Sequence, residues 1–353
     1  MRKLVLVVVA ACGPGGGTHP DARTPVDGAT DGGKVLDPTP GAYRLTCDGS
    51  GAVALDGDTF LDINDENQGV RVYRRAEDGP PSQVIDLSAG LGLAVDDEGD
   101  LEDLARIDDR VYVIASHGRN KTGKLRLERH RFAGLDLTTT LSGVGISVAG
   151  YTSELLPQLL DAANWETPDR ELIAALEAAS RLDEPEVPEL APEIAGTNIE
   201  AIAIKPNGEL VIGFRNPRAG DQAIVVTLTH PSQAILGATA KFGGAAKLEL
   251  GGLGLRGMTY SPAHGAILII AGSHASGGPF KLFRWSGELA AAPTFVTDIA
   301  TPADSAPEAI VAYDGTTDVQ IVFDQGDALI GGTICKDAPV DQRVFTDLIL
   351  PIE

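Results

Sequence analysis

One pattern recurs along this chain at intervals of about fifty residues: a charged residue, an apolar strand, a turn and a second apolar strand. It occupies residues 102–116 (EDLARIDDRVYVIAS), 200–214 (EAIAIKPNGELVIGF), 256–271 (RGMTYSPAHGAILIIA) and 308–323 (EAIVAYDGTTDVQIVF). A fifth, less regular copy lies at 51–63 (GAVALDGDTFLDI). A repeat of that length made of strand pairs predicts an all-β fold, a β-propeller, in which the same position of every blade faces one central channel. Five blades account for the five copies, with six as the alternative.

Composition agrees with an all-β chain rich in tight turns: 42 Gly, 22 Pro and only 22% charged residues, with 43% hydrophobic residues to fill a core. The repeat is interrupted once, because 98 residues separate Glu102 from Glu200. Leu155, Leu156, Leu159 and Leu160 fall at helical spacing, and Thr167-Pro168 precedes Leu172, Ile173 and Leu176 as a helix start would. The acidic, proline-rich run 183–193 (DEPEVPELAPE) reads as a linker back to the sheet. The expectation is one propeller domain over 41–353, with a helical insertion near 151–182 inside an excursion of 151–193. A degenerate sixth blade between Val144 and Gly196 is the alternative. An excursion this long commonly covers a functional face.

The N-terminus differs in kind. Arg2 and Lys3 precede the short apolar run 4–11, which ends in Val9-Ala10-Ala11-Cys12. A basic start, a run too short to span a bilayer and small residues before a cut describe a secretory signal. The Val-Ala-Ala-Cys ending resembles a bacterial lipobox, which makes Cys12 the expected lipidation site, residues 1–11 the signal and 12–40 a flexible tether rich in Gly, Pro, Thr and Asp. The expected location is the bacterial cell envelope, lipid-anchored, with Gly13 favouring the outer membrane. Cys47 and Cys335 remain near the two ends of the propeller; pairing of the N-terminal strand into the last blade would bring 41–46 beside the strands near Ile334 and allow a disulfide, against two free thiols.

The formal charge is −22, and without Arg2 and Lys3 the 26 basic and 50 acidic residues leave −24. Such a surface repels phosphate backbones, which excludes nucleic acid and favours cations or basic partners.

Glu102, Glu200 and Glu308 share one repeat position and Arg256 takes it in the fourth unit. On innermost strands they converge at one channel mouth, with Asp65 and Glu66 able to join. Carboxylates so placed recruit a cation, and oxygen ligands suit calcium or magnesium, giving Glu66, Glu102, Glu200 and Glu308 as metal ligands; alternatively the acids pair with Arg256 and backbone amides. A second set follows the second strand of two units: His117, Arg119, Asn120 and Lys121, then Arg215 and Asn216. With Arg256 they form a candidate site for an anionic ligand, carboxylate or phosphate, the alternative being a solvated hairpin turn.

Three motif matches fail on context. Gly252, Gly254 and Gly257 satisfy GxGxxG but lead into a strand without the following helix. Asp62, Asn64 and Glu66 begin like a calcium loop, yet Asn67 and Tyr73 stand where Gly and Glu are needed. No GxSxG or HExxH occurs, which disfavours serine hydrolases and zinc proteases.

The blocks DLEDLARI (100–107), ASHGRNKTGKLR (115–126), NIEAIAIKPNGELVIGFRNP (198–217), LGGLGLRGMTY (250–260), LFRWSG (282–287) and PEAI (307–310) together resemble the bacterial domain-of-unknown-function family 3616. That family is similar to propeller proteins and more distantly to esterase-like phytases, so the resemblance implies a propeller and brings no established activity. Three function classes follow: a lipid-anchored propeller binding a small ligand or an envelope protein at an acidic mouth, a metal-dependent hydrolase of phosphoesters or lactones, and a structural envelope protein.

Overall fold

The computed structural model describes residues 41–140, 143–273 and 277–353; the expected signal, tether and lipidated Cys12 lie outside them. Five four-stranded antiparallel sheets form the blades of a propeller. A short strand β1 (Ala42–Arg44) comes before the first blade, which is β2 (Gly51–Ala54), β3 (Thr59–Ile63), β4 (Gly69–Arg74) and β5 (Gln83–Asp86). The second is β6 (Leu101–Ile107), β7 (Arg110–Ala115), β8 (Phe132–Thr140) and β9 (Gly143–Thr152). The third is β10 (Asn198–Ile204), β11 (Leu210–Ala219), β12 (Gln222–Leu228) and β13 (Phe242–Leu248). The fourth is β14 (Gly254–Ser261), β15 (Ala266–Gly272), β16 (Lys281–Trp285) and β17 (Thr294–Asp298). The fifth holds β18 (Ala306–Ala312) and β19 (Val319–Asp324); after a two-stranded hairpin of β20 (Leu329–Ile330) and β21 (Thr333–Ile334) it is completed by β22 (Val344–Leu350), with β1 on its outer edge.

The innermost strands β2, β6, β10, β14 and β18 touch in a closed ring. They read as near-continuous apolar runs because neighbouring blades cover both their faces. Between the blades lie layers such as Leu61, Ile63, Leu104 and Val113, or Ala201, Val225, Leu255 and Ile269. The ring closes where the last blade meets the first: Tyr43 packs its ring 5.2 Å from Phe60, 5.3 Å from Tyr73 and 5.1 Å from Phe345. Its hydroxyl donates to Asp347 at 2.9 Å and accepts from Gln320 at 2.9 Å. β1 pairs with Val344–Thr346 of β22 and not with the segment near Ile334, which forms the separate hairpin. Cys47 and Cys335 form a disulfide.

The interval without a repeat holds no sixth blade. Residues 143–152 are the outer strand of the second blade, and beyond them come α1 (Leu155–Leu160) and α2 (Arg170–Ser180). The apolar side of both, Leu155, Leu156, Leu159, Leu172, Ile173 and Leu176, joins the core between the second and third blades. The cap of α2 is Asp169, whose carboxylate accepts from Leu172 N at 3.0 Å, one residue beyond the Thr167-Pro168 start read from the sequence.

One core residue breaks the pattern. Asp62 on β3 is fully buried and neither carboxylate oxygen has a hydrogen-bond partner among the described residues. Burial holds its pKa well above the usual carboxylate range, with Arg71 opposing. The folded chain therefore keeps a proton that the unfolded chain releases near pH 4, so this group's stabilisation is complete below that pH and fades as pH rises. Asp62→Asn is expected to flatten that dependence and raise stability at pH 7 by at least about 1 kcal/mol, the free energy of one pKa unit. Urea unfolding of both chains at pH 4.5 and pH 7 checks it; an unchanged difference between the two pH values rules it out.

Candidate functional site

Each inner strand begins at the same end of the channel, here called the upper mouth. Four of the five inner ladders are irregular at the same place. Register shifts fall between Leu101 and Asp103, Ile199 and Ala201, Leu255 and Gly257, and Pro307 and Ala309. The residue left over in each shift is Glu102, Glu200, Arg256 or Glu308, the four charged residues of the sequence repeat. A bulge puts one extra residue opposite its partner strand and re-aims that side chain. β2 pairs with β3 without a shift, which explains why the first copy of the repeat lacks the charged residue.

The four side chains meet at the upper mouth. Arg256 stands between two acids: its Nη1 is 3.1 Å from Glu200 Oε2, and its Nη2 donates to Glu308 Oε1. Glu200 Oε1 also accepts from Arg215 Nη1 at 2.5 Å and from Asn198 Nδ2 at 2.7 Å. Arg256 is 6% exposed and Glu200 4%, so little water screens these pairs. Burial holds the Glu308 carboxyl well above its usual range, with Arg256 pulling the other way. Glu102 is different: it has no hydrogen bond or ion pair among the described residues, while burial and the nearby Asp100, Glu200, Asp65 and Glu308 raise its pKa.

More acids surround this centre than the repeat foretold. Asp48, in the loop after Cys47, and Asp65, after β3, hydrogen-bond each other, and burial pushes Asp48 up to about 7. Asp100 accepts from Ser116 Oγ and from Arg129 Nη1, the latter at 2.8 Å. Asp324 closes the ring at the end of β19 and is also raised by burial. A sequence signal existed for part of this set: Ser116, Arg215 and Asp324 all follow or end the second strand of a unit.

A buried acid bridges three inner strands near this mouth. Asp103, the neighbour of Glu102, accepts from Leu104 N at 2.7 Å, from Ile202 N at 2.8 Å and from Met258 N at 3.4 Å. It thereby ties β6, β10 and β14 together across the axis, and burial raises its pKa against those three amides. Beneath it opens a lower cavity of about 630 Å³ walled by short side chains, Ala54, Ala105, Ala203 and Ala312. Its two cations are engaged: Arg106 donates to the carbonyls of Ala54, Leu55 and Asp108, and Lys205 pairs with Glu209 at 2.5 Å.

The other expected site residues divide. Arg215 and Arg256 belong to the acidic mouth. Arg119 is 3% exposed and spends its donors on the carbonyls of Gly123, Ser180, Arg181 and Glu184. It answers the unpaired carbonyls at the C-terminus of α2 and so fastens the insertion to the second blade. His117 is buried beside His130, with ring centres 5.4 Å apart, and Asn120 accepts from Thr122 N and Lys124 N within its own turn. Lys121 is exposed. Asn216 donates to Pro192 O at 2.7 Å. Of the loop set, Arg119, Asn120 and Asn216 thus engage the protein's own backbone. Glu66 lies 3.6 Å from Arg343. Among the described residues no three His, Cys, Asp or Glu side chains are grouped to hold a metal ion.

The blocks 198–217, 250–260 and 307–310 thus fall on three consecutive inner strands and supply Glu200, Arg215, Arg256 and Glu308. The pattern of the family described as "Protein of unknown function (DUF3616)" matches residues 154–317. The DUF3616 stretch begins at the helical insertion and includes the three consecutive bulges at Glu200, Arg256 and Glu308, but not Glu102. No curated protein matches the chain. Among solved structures, the β-1,3-galactosidase BT3683 of glycoside hydrolase family 43, bound to galactodeoxynojirimycin, is similar with 10% identity and a TM-score of 0.48, over 87% of this chain and 91% of that one. An exo-β-1,3-galactanase from Clostridium thermocellum shows 12% identity and a TM-score of 0.44 over 85% of this chain and 58% of its own. Raptor from Chaetomium thermophilum shows 10% identity and a TM-score of 0.35; 81% of this chain is covered, spanning 20% of Raptor.

Proposed function

We propose that this propeller is an extracytoplasmic binding module whose upper mouth receives an amine, held by Glu102. The observation that carries the reading is the repeated bulge. Four ladders give up regular pairing to turn a charged side chain to one mouth; Arg256 pairs with Glu200 and Glu308, and Glu102 is left without an ion pair among the described residues. A divalent ion fits this set less well, because calcium takes six to eight oxygens and the guanidinium of Arg256 already lies between two of the expected ligands. An ammonium needs only a few acceptors.

Calorimetric titration of spermidine into the full chain is expected to show binding that weakens with salt and falls about tenfold or more in Glu102→Gln, the loss of one charge-assisted hydrogen bond. Calcium binding lost in that variant, with no response to spermidine, would replace the amine by a metal; response to neither would leave the mouth a structural network. The lipid anchor at Cys12 is part of the proposal and is supported by the disulfide, which belongs to an oxidising compartment. Cys12→Ser is expected to shift the protein from the detergent phase to the aqueous phase on phase partitioning.

One observation favours a second reading, hydrolysis of a phosphoester or lactone. Burial raises both carboxyls of the Asp48–Asp65 pair, Asp48 to about 7, which suits one to protonate a leaving group while its partner accepts a proton from water. Turnover abolished by Asp48→Asn with amine binding intact would establish it.

A further inference from the structure

A second cavity lies away from the axis, between the helical insertion and the second blade. Its volume is about 460 Å³, within the range of small-molecule pockets. Leu93, Pro157 and Leu182 give it apolar walls. Asp97, Glu128 and Glu154 stand around it against a single cation, Arg131. Arg131 is occupied: it donates to the carbonyls of Leu91, Leu127 and His130 and lies over the ring of Tyr151. Glu128 is paired with Arg126, whereas Asp97 and Glu154 form no ion pair among the described residues.

His130 also lines this cavity. It is 2% exposed, and neither ring nitrogen has a hydrogen-bond partner among the described residues. A buried polar atom left so costs about 1–3 kcal/mol, and a native structure retaining one calls for a reason. His117, 5.4 Å away, cannot supply the missing donor: its Nδ1 donates to Ala115 O at 2.7 Å, and its Nε2 is itself without a partner.

We propose that this cavity is a binding site for an amphiphilic amine, an apolar body lying against Leu93, Pro157 and Leu182 and an ammonium shared by His130 and Glu154. The unpaired imidazole supplies an acceptor at the wall; Asp97 and Glu154, which accept from Ala94 N and Ser153 Oγ but pair with no cation among the described residues, supply the charge; the apolar faces supply the area. Burial, with Arg131 nearby, keeps His130 neutral, its pKa lowered to about 4, so it accepts a hydrogen bond from a cation without repelling it. The site is separate from the upper mouth, and the amine it takes differs from spermidine in carrying a hydrocarbon body.

Three probes of one shape test it on the full chain by saturation-transfer NMR and calorimetry: phenethylamine, 2-phenylethanol and 3-phenylpropionate. Binding by phenethylamine alone is expected, weakened about three- to tenfold by Glu154→Gln and about tenfold by His130→Phe, the ranges of a partly screened charge and a hydrogen bond. Glu154 is exposed, so its variant keeps the fold if the histidine variant does not. Glu102→Gln is expected to leave phenethylamine binding unchanged. Equal binding of all three probes, binding by none, or phenethylamine binding lost in Glu102→Gln but kept in Glu154→Gln would each overturn the proposal.

Discussion

Replacing Arg256 by Met is expected to destabilise the protein by about 3–5 kcal/mol, the cost of breaking a buried ion pair from one side. Glu200 and Glu308 would face Asp100, Glu102 and Asp324 without the Arg256 guanidinium between them, and Arg215 pairs with Glu200. The loss is expected to depend on pH. Glu308 and Glu102 already hold folded pKa values above their ordinary ones, and without Arg256 Glu308 rises further. A carboxyl raised on folding contributes stability below its unfolded pKa, near 4.5, and loses it as pH rises. Arg256→Met is therefore expected to be least stable near neutral pH and to recover toward pH 4. Adding Glu200→Gln and Glu308→Gln to Arg256→Met removes the stranded acids and is expected to restore most of the loss. Thermal unfolding of the single and triple variants from pH 4 to pH 8 checks both statements; a pH-independent loss, or a triple variant no more stable than the single, contradicts them.

Removing the disulfide is the other large effect. Cys47 and Cys335 are 288 residues apart, and the bond encloses nearly the whole propeller. The chain-entropy account puts its stabilisation at about 4–5 kcal/mol, an upper figure because a compact denatured state has less entropy to lose. Cys47→Ala/Cys335→Ala is expected to lower the denaturant midpoint accordingly, since the remaining latch is short: three residue pairs between β1 and β22 and the Tyr43–Asp347–Gln320 hydrogen bonds. Both cysteines are fully buried, so reductant is expected to act only on unfolded protein. Cys47 is also the neighbour of Asp48, and Gln325 N donates to Cys47 O at 2.9 Å, so the loops carrying Asp48 and Asp324 are held to each other at the acidic mouth. Amine binding is expected to weaken in the double variant even where it stays folded. Chemical unfolding and spermidine calorimetry separate the two effects; an unchanged midpoint would show that the β1 latch and the Tyr43 cluster close the ring unaided.

Residues 102–116, 200–214, 256–271 and 308–323 carried the architecture in plain view. Each is a period-two strand pair with a charge at its entrance, and repetition of one supersecondary unit leaves few ways to bury its faces. The helical spacing of Leu155, Leu156, Leu159 and Leu160 was equally legible, because amphipathic periodicity is a local property. Glu102, Glu200, Arg256 and Glu308 could be placed at one mouth for the same reason. What they do there could not be read. Whether Glu200 and Glu308 await a metal or hold Arg256 depends on a guanidinium from another blade. Whether Arg119 faces a ligand or the end of α2 depends on where an insertion some sixty residues away folds back.

The sequence by itself determined the propeller repeat, the position of the insertion and the placement of four charges on four inner strands, since each follows from periodicity along the chain; that the interval holds helices and no sixth blade was settled by the fold. Only the tertiary structure decided which charges are paired, which carboxyls burial raises, that Asp103 bridges three inner strands and that Glu102 is left over. Those outcomes are set by burial and by distances between blades, and electrostatic energy in a low-dielectric interior changes by several kcal/mol over an ångström or two, a quantity no linear spacing encodes.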